Sequence, residues 1–279
     1  MNEKIRNVGL IFVTDNSVAC IDNIRHAVQL FEKVIVVDNN SRDRTVSLLG
    51  KLEGVQVVAL PDNLGYGKAC NIGLRKIASE YALIMNPDSR IERDSIVELL
   101  RVAQVYPEFA LMAPQSYLPS GAPEISYRQS YFQTVRDKDY IVPSGPASAY
   151  FLSGCCLLVN VAKYSDIGFD ESFFLYFEDD DICLQNIKKG RDCIVVPSAR
   201  IVHDTGRSSG SGFGIQFLKA REYSRSKKYF IGKYQGRGLR YAYISRGLFS
   251  NCIKIAFYLV VFDRKRLTKS VGAVIGLLG

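Results

Sequence analysis

The sequence predicts an α/β fold with a mainly parallel central sheet, helices on both faces of that sheet and a helical appendage at the C-terminus. Continuous apolar runs, typical of strands buried on both faces, alternate with helix-like stretches through the first half of the chain. Polar clusters follow the ends of these runs, where open parallel sheets bind ligands. From about Gly212 the chain is first dense in Lys, Arg and Tyr and then apolar.

Repeated β-α-β units in the first half favour parallel strands joined by crossover helices. We expect strands at residues 8–13, 34–37, 55–60, 81–85 and 109–112. Ser17 is expected to cap a first helix with Ile21, Ile24, Val28 and Phe31 on one face. Further helices are expected after Asp43, at residues 68–79 and at residues 91–104.

The second half is less regular. Residues 116–149 contain several Pro, Gly and Tyr residues and are expected to form loops near the site. A strand is expected at 151–160, and a helix from Glu178 to about Lys188 with Gly190 as its C-cap. Two short strands, 194–196 and 201–202, are expected on either side of a turn that leads to His203.

The composition suits a folded protein with anionic partners. Hydrophobic residues make up 47% and charged residues 23% of the 279-residue chain, which argues against disorder. The 36 basic and 28 acidic residues give a net charge of +8, which suits anionic partners.

We expect one large α/β domain at 1–211 and a basic, partly apolar helical region at 212–279. We see no signal peptide and no apolar run near the ~18 residues that span a bilayer, so a cytoplasmic location is expected.

Several chemistries are disfavoured. The chain has two histidines, His26 and His203, and it contains no G-x-S-x-G elbow and no G-x-x-x-x-G-K-[ST] phosphate loop. The nearest approach to G-x-G-x-x-G begins at Gly65, lacks the third glycine and follows the third strand instead of the first. A dinucleotide-binding fold is therefore disfavoured.

Two polar clusters follow predicted strands directly. Asp38 can accept hydrogen bonds from a base or a ribose, and the alternative is a turn, because Asp-Asn-Asn-Ser is favourable turn chemistry. Asp88, in the segment that begins at Asn86, can hold a divalent cation through oxygen ligands. The alternative there is a turn with a helix cap.

Four consecutive acids, Glu178 to Asp181, follow five residues that are aromatic or leucine. Like charges at this density repel one another, and the preceding apolar run places them at the edge of a core. Such a position suits a metal or a general base, whereas a solvated helix start is the usual alternative. His203, at a further strand end, is open to a structural or a functional role.

These clusters, in this order, resemble the family 2 glycosyltransferases, which have the GT-A fold. The resemblance covers roughly residues 6–210. The segments that carry it are VIVVDNNSRDRT (34–45), NLGYGKACNIG (63–73), NPDS (86–89), GFDESFFLYFEDDDICLQNIKKG (168–190) and VVPSARIVHDTGRSS (195–209).

The resemblance implies a role for each matching position. The residues implied to bind the nucleotide or its diphosphate are Thr14, Asp15, Asp38, Asn40, Asn63, Gly65, Lys68 and Asn86. Asp88 would bind Mg²⁺ or Mn²⁺, and His203 would complete the metal or diphosphate site. Asp179, in a pair with Glu178, would deprotonate the acceptor hydroxyl.

Three positions depart from the family pattern. Asp15 stands where an aromatic residue is frequent, so stacking on the base can differ. Asn86 replaces the first carboxylate of the metal motif. Asp180 is an extra acid that leaves the base assignment open, and Asp181 can be the structural acid.

The implied reaction is an inverting, metal-dependent sugar transfer without a covalent enzyme intermediate. The layout is most similar to bacterial rhamnosyltransferases of O-antigen and other cell-surface polysaccharide synthesis. This resemblance implies dTDP-rhamnose as donor and a lipid-linked glycan as acceptor, with a UDP-sugar as the alternative donor.

The C-terminal region suits an interfacial anchor on anionic lipid, at the inner face of the cytoplasmic membrane. Residues 219–240 interleave basic and aromatic side chains, and two apolar segments follow at 253–262 and 271–278. The alternatives are helices that pack on the catalytic domain or form a contact in a homodimer.

Other classes of function explain less of the sequence. A nucleic-acid-binding module fits the basic charge but not the acids at strand ends, so no nucleic-acid partner is expected. A nucleotidyltransferase usually has a Gly-rich basic loop after its first strand, and residues 8–15 have none. An inactive scaffold is disfavoured by the presence of Asp88, Asp179 and His203.

Overall fold

The computed structural model describes residues 3–129, 140–164, 166–204, 206 and 212–279. Part of the expected loop region (130–139), and residues 205 and 207–211 of the expected closing segment and domain boundary, lie outside the described residues. The strands are β1 (Ile5–Thr14), β2 (Phe31–Asp38), β3 (Val55–Ala59), β4 (Tyr81–Met85), β5 (Ser89–Ile91), β6 (Phe109–Tyr117), β7 (Tyr127–Arg128), β8 (Ala147–Ser148), β9 (Phe151–Leu152), β10 (Cys156–Asn160) and β11 (Asp192–His203). The helices are α1 (Ile21–Val28), α2 (Thr45–Leu49), α3 (Tyr66–Lys76), α4 (Arg93–Val105), α5 (Val161–Tyr164), α6 (Glu178–Lys188), α7 (Phe213–Tyr234), α8 (Arg237–Val260) and α9 (Arg264–Leu278).

The central sheet is mixed but mainly parallel. Its order is β3-β2-β1-β4-β10-β6-β11-β5, and β8 pairs with β11. Strands β1 to β4 pair in parallel, and β6 pairs in parallel with β11. Strand β10 is antiparallel to both β4 and β6, and β5 is antiparallel to β11. The expected α/β class with a mainly parallel sheet is confirmed.

Alternate residues of the strands face two hydrophobic layers. In β1, Leu10 and Phe12 join the layer that includes residues of α1, α2 and α4, whereas Ile11 and Val13 join the layer that includes residues of α3 and α6. Because successive side chains of a strand point to opposite faces, a continuous apolar run requires helices on both sides. The predicted helices on both faces are therefore confirmed.

Several details of the expected elements are wrong. The strand expected at 151–160 is two strands, because β9 ends at Leu152 and β10 begins at Cys156. Phe31 is the first residue of β2 and not part of α1, because the helix already ends at Val28. Ser17 makes no side-chain cap to the short 3₁₀ turn that precedes α1. Residues 89–91 form β5, so α4 begins at Arg93. The two short strands expected before His203 are one strand, β11, with an irregular register between Val196 and Arg200.

The chain divides into two compact units. One comprises Met1–Asp170 and Asp179–Ser208, and the other comprises Glu171–Glu178 and Ser209–Gly279. The first unit contains the sheet and helices α1 to α5, together with all of α6 except its first residue. The second contains α7 to α9 and an eight-residue segment that immediately precedes Asp179.

Aromatic side chains hold the eight-residue segment against α7 within the second unit. The Phe173 and Tyr229 ring centroids are 4.9 Å apart, and those of Phe177 and Phe230 are 5.2 Å apart. Ser226 Oγ donates a hydrogen bond of 2.8 Å to the carbonyl oxygen of Leu175. The predicted C-terminal helical region is present, and among the described residues no helix is long and apolar enough to cross a membrane.

Candidate active site

Two of the expected nucleotide-binding residues meet at the carboxyl ends of β1 and β2. Thr14 and Asp38 are register partners, and Thr14 Oγ1 donates a 2.8 Å hydrogen bond to Asp38 Oδ1. The backbone amide and hydroxyl of Ser41 also donate to the Asp38 carboxylate, at 2.8 and 2.6 Å. The buried Asp38 therefore stabilises the turn after β2, which is the structural role that Asp-Asn-Asn-Ser also allowed from the sequence. This turn lies at the carboxyl edge of the sheet.

A second group joins Asp15 to the segment before α3. Asn63 Nδ2 donates to Asp15 Oδ2 at 3.0 Å, and the Gly65 amide donates to Asn63 Oδ1 at the same distance. Gly65 has φ +87°, a conformation that favours glycine, and it directly precedes α3. Burial, followed by the nearby charge of Asp38, raises the pKa of Asp15. Asp15, Asn63 and Gly65 thus lie together.

Asn39 connects these two groups. Its Oδ1 accepts a 2.8 Å hydrogen bond from the Leu64 amide, and its Nδ2 donates to the Gly65 carbonyl at 3.2 Å. The next residue, Asn40, has φ +65°, in the left-handed region that asparagine tolerates better than most residues. Lys68 lies in the first turn of α3 and is half-buried. Asn39 therefore joins the turn after β2 to the segment before α3, and both lie at the carboxyl edge of the sheet.

Asp88 and His203 meet because β5 pairs with β11. Ser89 and His203 are register partners in this antiparallel pair, which brings the preceding Asp88 beside the end of β11. His203 Nε2 lies 3.4 Å from Asp88 Oδ1, and the Gly206 amide donates to Asp88 Oδ2 at 3.2 Å. Both side chains are buried. The two residues that the sequence marks as metal ligands are therefore neighbours.

Glu124 is a third member of this cluster that the sequence reading missed. Its Oε2 lies 2.9 Å from His203 Nδ1 and accepts a 2.7 Å hydrogen bond from Ser116 Oγ. Burial lowers the pKa of His203, but the hydrogen bonds to Asp88 and Glu124 outweigh it and raise that pKa to about 9. A carboxylate on one imidazole nitrogen orients the ring and leaves the other nitrogen directed at a second group.

The three aspartates at the start of α6 have different surroundings. Asp179 Oδ2 accepts a 3.1 Å hydrogen bond from the Gly154 amide. Asp180 forms an ion pair with Arg128. Asp181 is buried, and Gln185 in the next turn donates a 2.6 Å hydrogen bond to it. Glu178, the first residue of α6, is also buried and belongs to the C-terminal unit.

Burial raises the pKa values of Asp179 and Asp180. For Asp180, burial and then the charge of Asp179 raise the pKa to about 7, although Arg128 opposes both effects. The pKa of Asp179 is also raised, chiefly by burial, against the hydrogen bonds from the Gly154 and Asp180 amides. A carboxylate with a raised pKa accepts a proton near neutral pH more readily than an ordinary aspartate does.

Arg128 was also missed from the sequence, because it lies in the region expected to be loops. It belongs to the two-stranded sheet of β7 and β9, in which Arg128 and Phe151 are register partners. The guanidinium carbon lies 4.1 Å from the centroid of the Phe151 ring. Strand pairing and this cation–π contact therefore hold Arg128 beside Asp180.

Gly154 and Cys155 connect the segment that contains Asp88 to Asp179. The Cys155 carbonyl accepts hydrogen bonds from the Asn86 amide at 2.9 Å and from Ser89 Oγ at 3.3 Å. The adjacent Gly154 donates its amide to Asp179 and accepts from Tyr66 Oη at 2.9 Å. Two successive residues thus join the turn that contains Asp88, the start of α6 and the first residue of α3. The sequence offered no signal for this connection, because backbone amides and carbonyls leave none.

Asp88 and His203 carry two donor groups of the kind that a divalent cation shared with a substrate would need. Among the described residues no group of three or more His, Cys, Asp or Glu side chains forms a complete metal cage. Asp88 would supply carboxylate oxygen, and His203 would supply imidazole nitrogen once a cation displaces the proton on Nε2, a set that suits Mn²⁺ or Mg²⁺. Mg²⁺ in particular is usually held by one or two carboxylates together with substrate phosphates. The two ligands therefore match a cation shared with a diphosphate.

Two curated relatives are rhamnosyltransferases. The chain is 27% identical over 209 residues to N-acetylglucosaminyl-diphospho-decaprenol L-rhamnosyltransferase of Mycobacterium tuberculosis, an alignment of 63% of this chain and 68% of the relative. It is 24% identical over 214 residues to the dTDP-rhamnosyl transferase RfbF of Shigella flexneri, over 71% of this chain and 69% of the relative.

The fold is that of GT-A glycosyltransferases. A mannosyltransferase from Pyrobaculum calidifontis, solved with GDP-Man and Mn²⁺, superposes with a TM-score of 0.59 at 14% identity, over 98% of this chain and 87% of the other. The family model described as glycosyl transferase family 2 matches residues 15–168, more than half of the chain. The chain therefore belongs to glycosyl transferase family 2 and is a glycosyltransferase.

Proposed function

We propose that this protein is an inverting, metal-dependent glycosyltransferase that transfers a sugar from a nucleotide-diphosphate donor to an acceptor hydroxyl. The observation that carries the proposal is the connection through Gly154 and Cys155 of the Asp88–His203 pair to Asp179. The pair that would hold a cation at a leaving diphosphate and a carboxylate that can accept a proton are thus linked by two consecutive residues.

The metal would be held by Asp88 and His203, with Glu124 orienting the imidazole. A bound Mg²⁺ or Mn²⁺ supplies positive charge that offsets the charge developing on a leaving diphosphate. The mannosyltransferase with the similar fold was solved with Mn²⁺, which supports this assignment. Asn86, whose backbone amide is tied to Cys155, would border the diphosphate.

Asp179 is proposed as the general base. The acceptor hydroxyl oxygen forms a bond to the anomeric carbon, the bond from that carbon to the diphosphate breaks, and the hydroxyl proton passes to the Asp179 carboxylate. A single displacement of this kind inverts the anomeric configuration. Glu178 precedes the base, Arg128 balances the charge of Asp180, and Asp181 has a structural role within α6.

The donor is proposed to be dTDP-rhamnose. The names of the Shigella and Mycobacterium relatives, both rhamnosyltransferases, support the sugar, and the Shigella relative supports the nucleotide. A UDP-sugar is the alternative donor. The residues proposed to line the nucleotide pocket are Thr14, Asp15, Asp38, Asn40, Asn63, Gly65 and Lys68.

The acceptor is proposed to be a lipid-linked glycan of bacterial cell-surface polysaccharide synthesis, such as O-antigen. The name of the Mycobacterium relative includes a diphospho-decaprenol carrier, which supports a lipid-linked acceptor. Such an acceptor places the enzyme at the inner face of the cytoplasmic membrane, as a peripheral protein. Residues 1–211 would form the catalytic domain, and residues 212–279 would form the part that associates with the membrane.

The variant Asp179→Asn tests the assignment of the base. Transfer should fall by roughly 10²- to 10⁴-fold, the usual contribution of a general base. Thermal stabilisation by dTDP-rhamnose with Mn²⁺ should persist, because the donor-binding residues are unchanged. Asp180→Asn is the matched control and should lower the rate of sugar transfer much less. Near-normal turnover of Asp179→Asn, or a product that retains the anomeric configuration by NMR, would refute this mechanism.

A further inference from the structure

The second half of α8 exposes an apolar face. Phe249, Ile253, Phe257 and Val260 follow one another at intervals of four, four and three residues, so they lie on one side of the helix. Their exposed fractions are 72%, 55%, 58% and 77%. Phe262, in the turn after the helix, is 89% exposed. We call these five residues the apolar face of α8.

Single large apolar side chains are common on protein surfaces, but a contiguous group of them indicates a binding surface.

Helix α9 covers another side of α8. A Cβ atom at Gly247 would lie 2.7 Å from Cδ1 of Leu277, which is buried. Of the two apolar segments expected from the sequence, the one in α9 thus supplies packing within the C-terminal unit, and the one in α8 supplies the exposed face.

The charge around this face has one sign. Residues 237–279 contain eight Lys and Arg residues and one acid, Asp263. Asp263 accepts a 3.0 Å hydrogen bond from the Arg266 amide and caps α9. Exposed basic residues lie on both sides of the end of α8, namely Lys254, Arg264, Lys265 and Arg266. An apolar face flanked by cations is the pattern of a helix that lies in the interface of an anionic bilayer.

We propose that the apolar face of α8 inserts into the surface of an anionic lipid bilayer, while the flanking Lys and Arg side chains contact headgroup phosphates. This inference names the membrane contact of the proposed enzyme and to that extent rests on the proposed function. The charge favours lipid over a second copy of the chain. A symmetric dimer through this face would place two groups of cations against each other, with one acid on each copy to offset them.

The test is cosedimentation of the full-length protein with vesicles of phosphatidylcholine alone or mixed with phosphatidylglycerol. We expect binding to the anionic vesicles that weakens with salt. The double variant Phe257→Ser/Phe262→Ser should bind at least about tenfold more weakly. The reason is that the variant loses two large apolar side chains whose transfer from water into the bilayer favours binding. Arg264→Gln/Lys265→Gln should weaken binding and reduce its dependence on salt.

The matched control is Val97→Ser/Val105→Ser on α4, which removes two apolar side chains that are 52% and 60% exposed. It should bind vesicles as the wild type does. The proposal is overturned if the wild-type protein does not bind anionic vesicles, or if the Phe257→Ser/Phe262→Ser variant binds them as tightly as the wild type does. Sedimentation-velocity dimers that the Phe variant abolishes, in protein that does not bind vesicles, would assign the face to a second copy instead.

Two further measurements separate this proposal from the proposed function. Stabilisation of the Phe257→Ser/Phe262→Ser variant by donor and Mn²⁺ should match that of the wild type, because the substitutions leave the donor-binding residues unchanged. Transfer to an acceptor in detergent micelles tests the enzyme without a bilayer. Vesicle binding by a wild-type protein that transfers no sugar would uphold the membrane contact and refute the proposed reaction.

Discussion

At the scale of single residues, Arg128 controls the charge at the start of α6. Its guanidinium pairs with Asp180 and lowers the pKa values of both Asp179 and Asp180, against the burial that raises them. Burial and the charge of Asp179 raise the pKa of Asp180 to about 7 even with this cation beside it. The ionisation of the proposed base therefore depends on an arginine from another part of the chain.

Arg128→Gln should move the acid limb of the pH profile of kcat/KM to higher pH. Without the guanidinium the carboxylate pKa values rise further, and a base that must be ionised is then active only at higher pH. We expect a shift of roughly one unit from loss of the charge, and a smaller one for Arg128→Lys. Arg101→Gln, which breaks a surface pair with Glu98, is the control. An unmoved limb in Arg128→Gln would contradict this account.

Glu124 contacts His203 directly. Its carboxylate accepts from both Ser116 Oγ and His203 Nδ1, so it sets the orientation of the imidazole. Loss of a carboxylate that orients a metal-binding histidine typically lowers metal affinity 10- to 100-fold. The role of Glu124 can be seen only in the folded structure, because no motif near position 124 marks it in the sequence.

Glu124→Gln should therefore weaken Mn²⁺ binding by about tenfold or more, measured by calorimetry in the presence of a nucleoside diphosphate. The control Glu108→Gln removes a surface carboxylate that pairs with Lys163, and it should leave the affinity unchanged. If Mn²⁺ affinity survives in Glu124→Gln, the histidine is oriented by other contacts.

At the scale of secondary-structure elements, the segment before α6 has an unusual backbone. Tyr176 and Phe177 have φ values of 70° and 68°, a left-handed conformation that is rare for bulky residues. The ring of Tyr223 on α7 packs against both, with centroid distances of 5.7 and 5.4 Å. Strained conformations of this kind persist where surrounding packing enforces them, and they cluster at functional sites.

Tyr176→Gly should be more stable than Tyr176→Ala by about 1 kcal/mol, because both lose the ring but glycine avoids the left-handed penalty. Chemical denaturation measures the difference. Lys254, exposed on α8, is the control position, and there glycine should be less stable than alanine by about 1 kcal/mol. The same order of stability at both positions would show that Tyr176 carries no such strain.

Helix α9 approaches α7 closely at two glycines. A Cβ atom at Gly276 would lie 2.1 Å from the carbonyl oxygen of Arg221, and one at Gly272 would lie 2.6 Å from that of Phe217. Contacts this short with backbone atoms cannot be relieved by a side-chain rotation. The two helices pack backbone to backbone at these positions.

Gly276→Ala should therefore destabilise the protein by about 1–3 kcal/mol, the usual cost of overpacking. Gly238→Ala, in the first turn of α8, meets no atom within 4 Å and is the control. That control should be neutral or stabilising by up to about 1 kcal/mol, because alanine favours helix. Equal melting temperatures for the two variants would contradict the close packing.

At the scale of the whole molecule, the proposed cation site is completed by substrate. Asp88 and His203 would supply only two protein ligands, so donor and metal should bind cooperatively. Mn²⁺ with a nucleoside diphosphate should raise the melting temperature more than the sum of the two alone. At free ligand 100-fold above its Kd the stabilisation is about 2.7 kcal/mol.

Asp88→Asn should abolish this cooperative stabilisation, and Asp166→Asn, at a surface ion pair with Lys189 and Arg191, should retain it. Thermal unfolding with and without EDTA measures the effect. A donor-induced shift of the same size in the presence of EDTA would mean that the diphosphate binds without a cation.

The amino-acid sequence by itself determined the alternation of strands and helices, the two-sided burial of the sheet, the polar residues at its carboxyl edge and the family. Local pattern suffices there, because an apolar run, a turn sequence and a motif are all contiguous. It also marked Asp88, Asp179 and His203 as candidate site residues, through the family resemblance and not through any property of their spacing.

Tertiary structure alone decided which groups act on those residues. Glu124, Gly154 and Cys155 lie in irregular segments, and Arg128 lies in the two-residue strand β7. Strand pairing and hydrogen bonds, which leave no signature in the sequence, place these residues beside the candidate site. The same holds for the C-terminal helices, whose two apolar segments look alike in sequence. Packing against α7 and α8 buries part of one, and nothing in the described residues covers the exposed face of the other, because burial depends on neighbours that are distant along the chain.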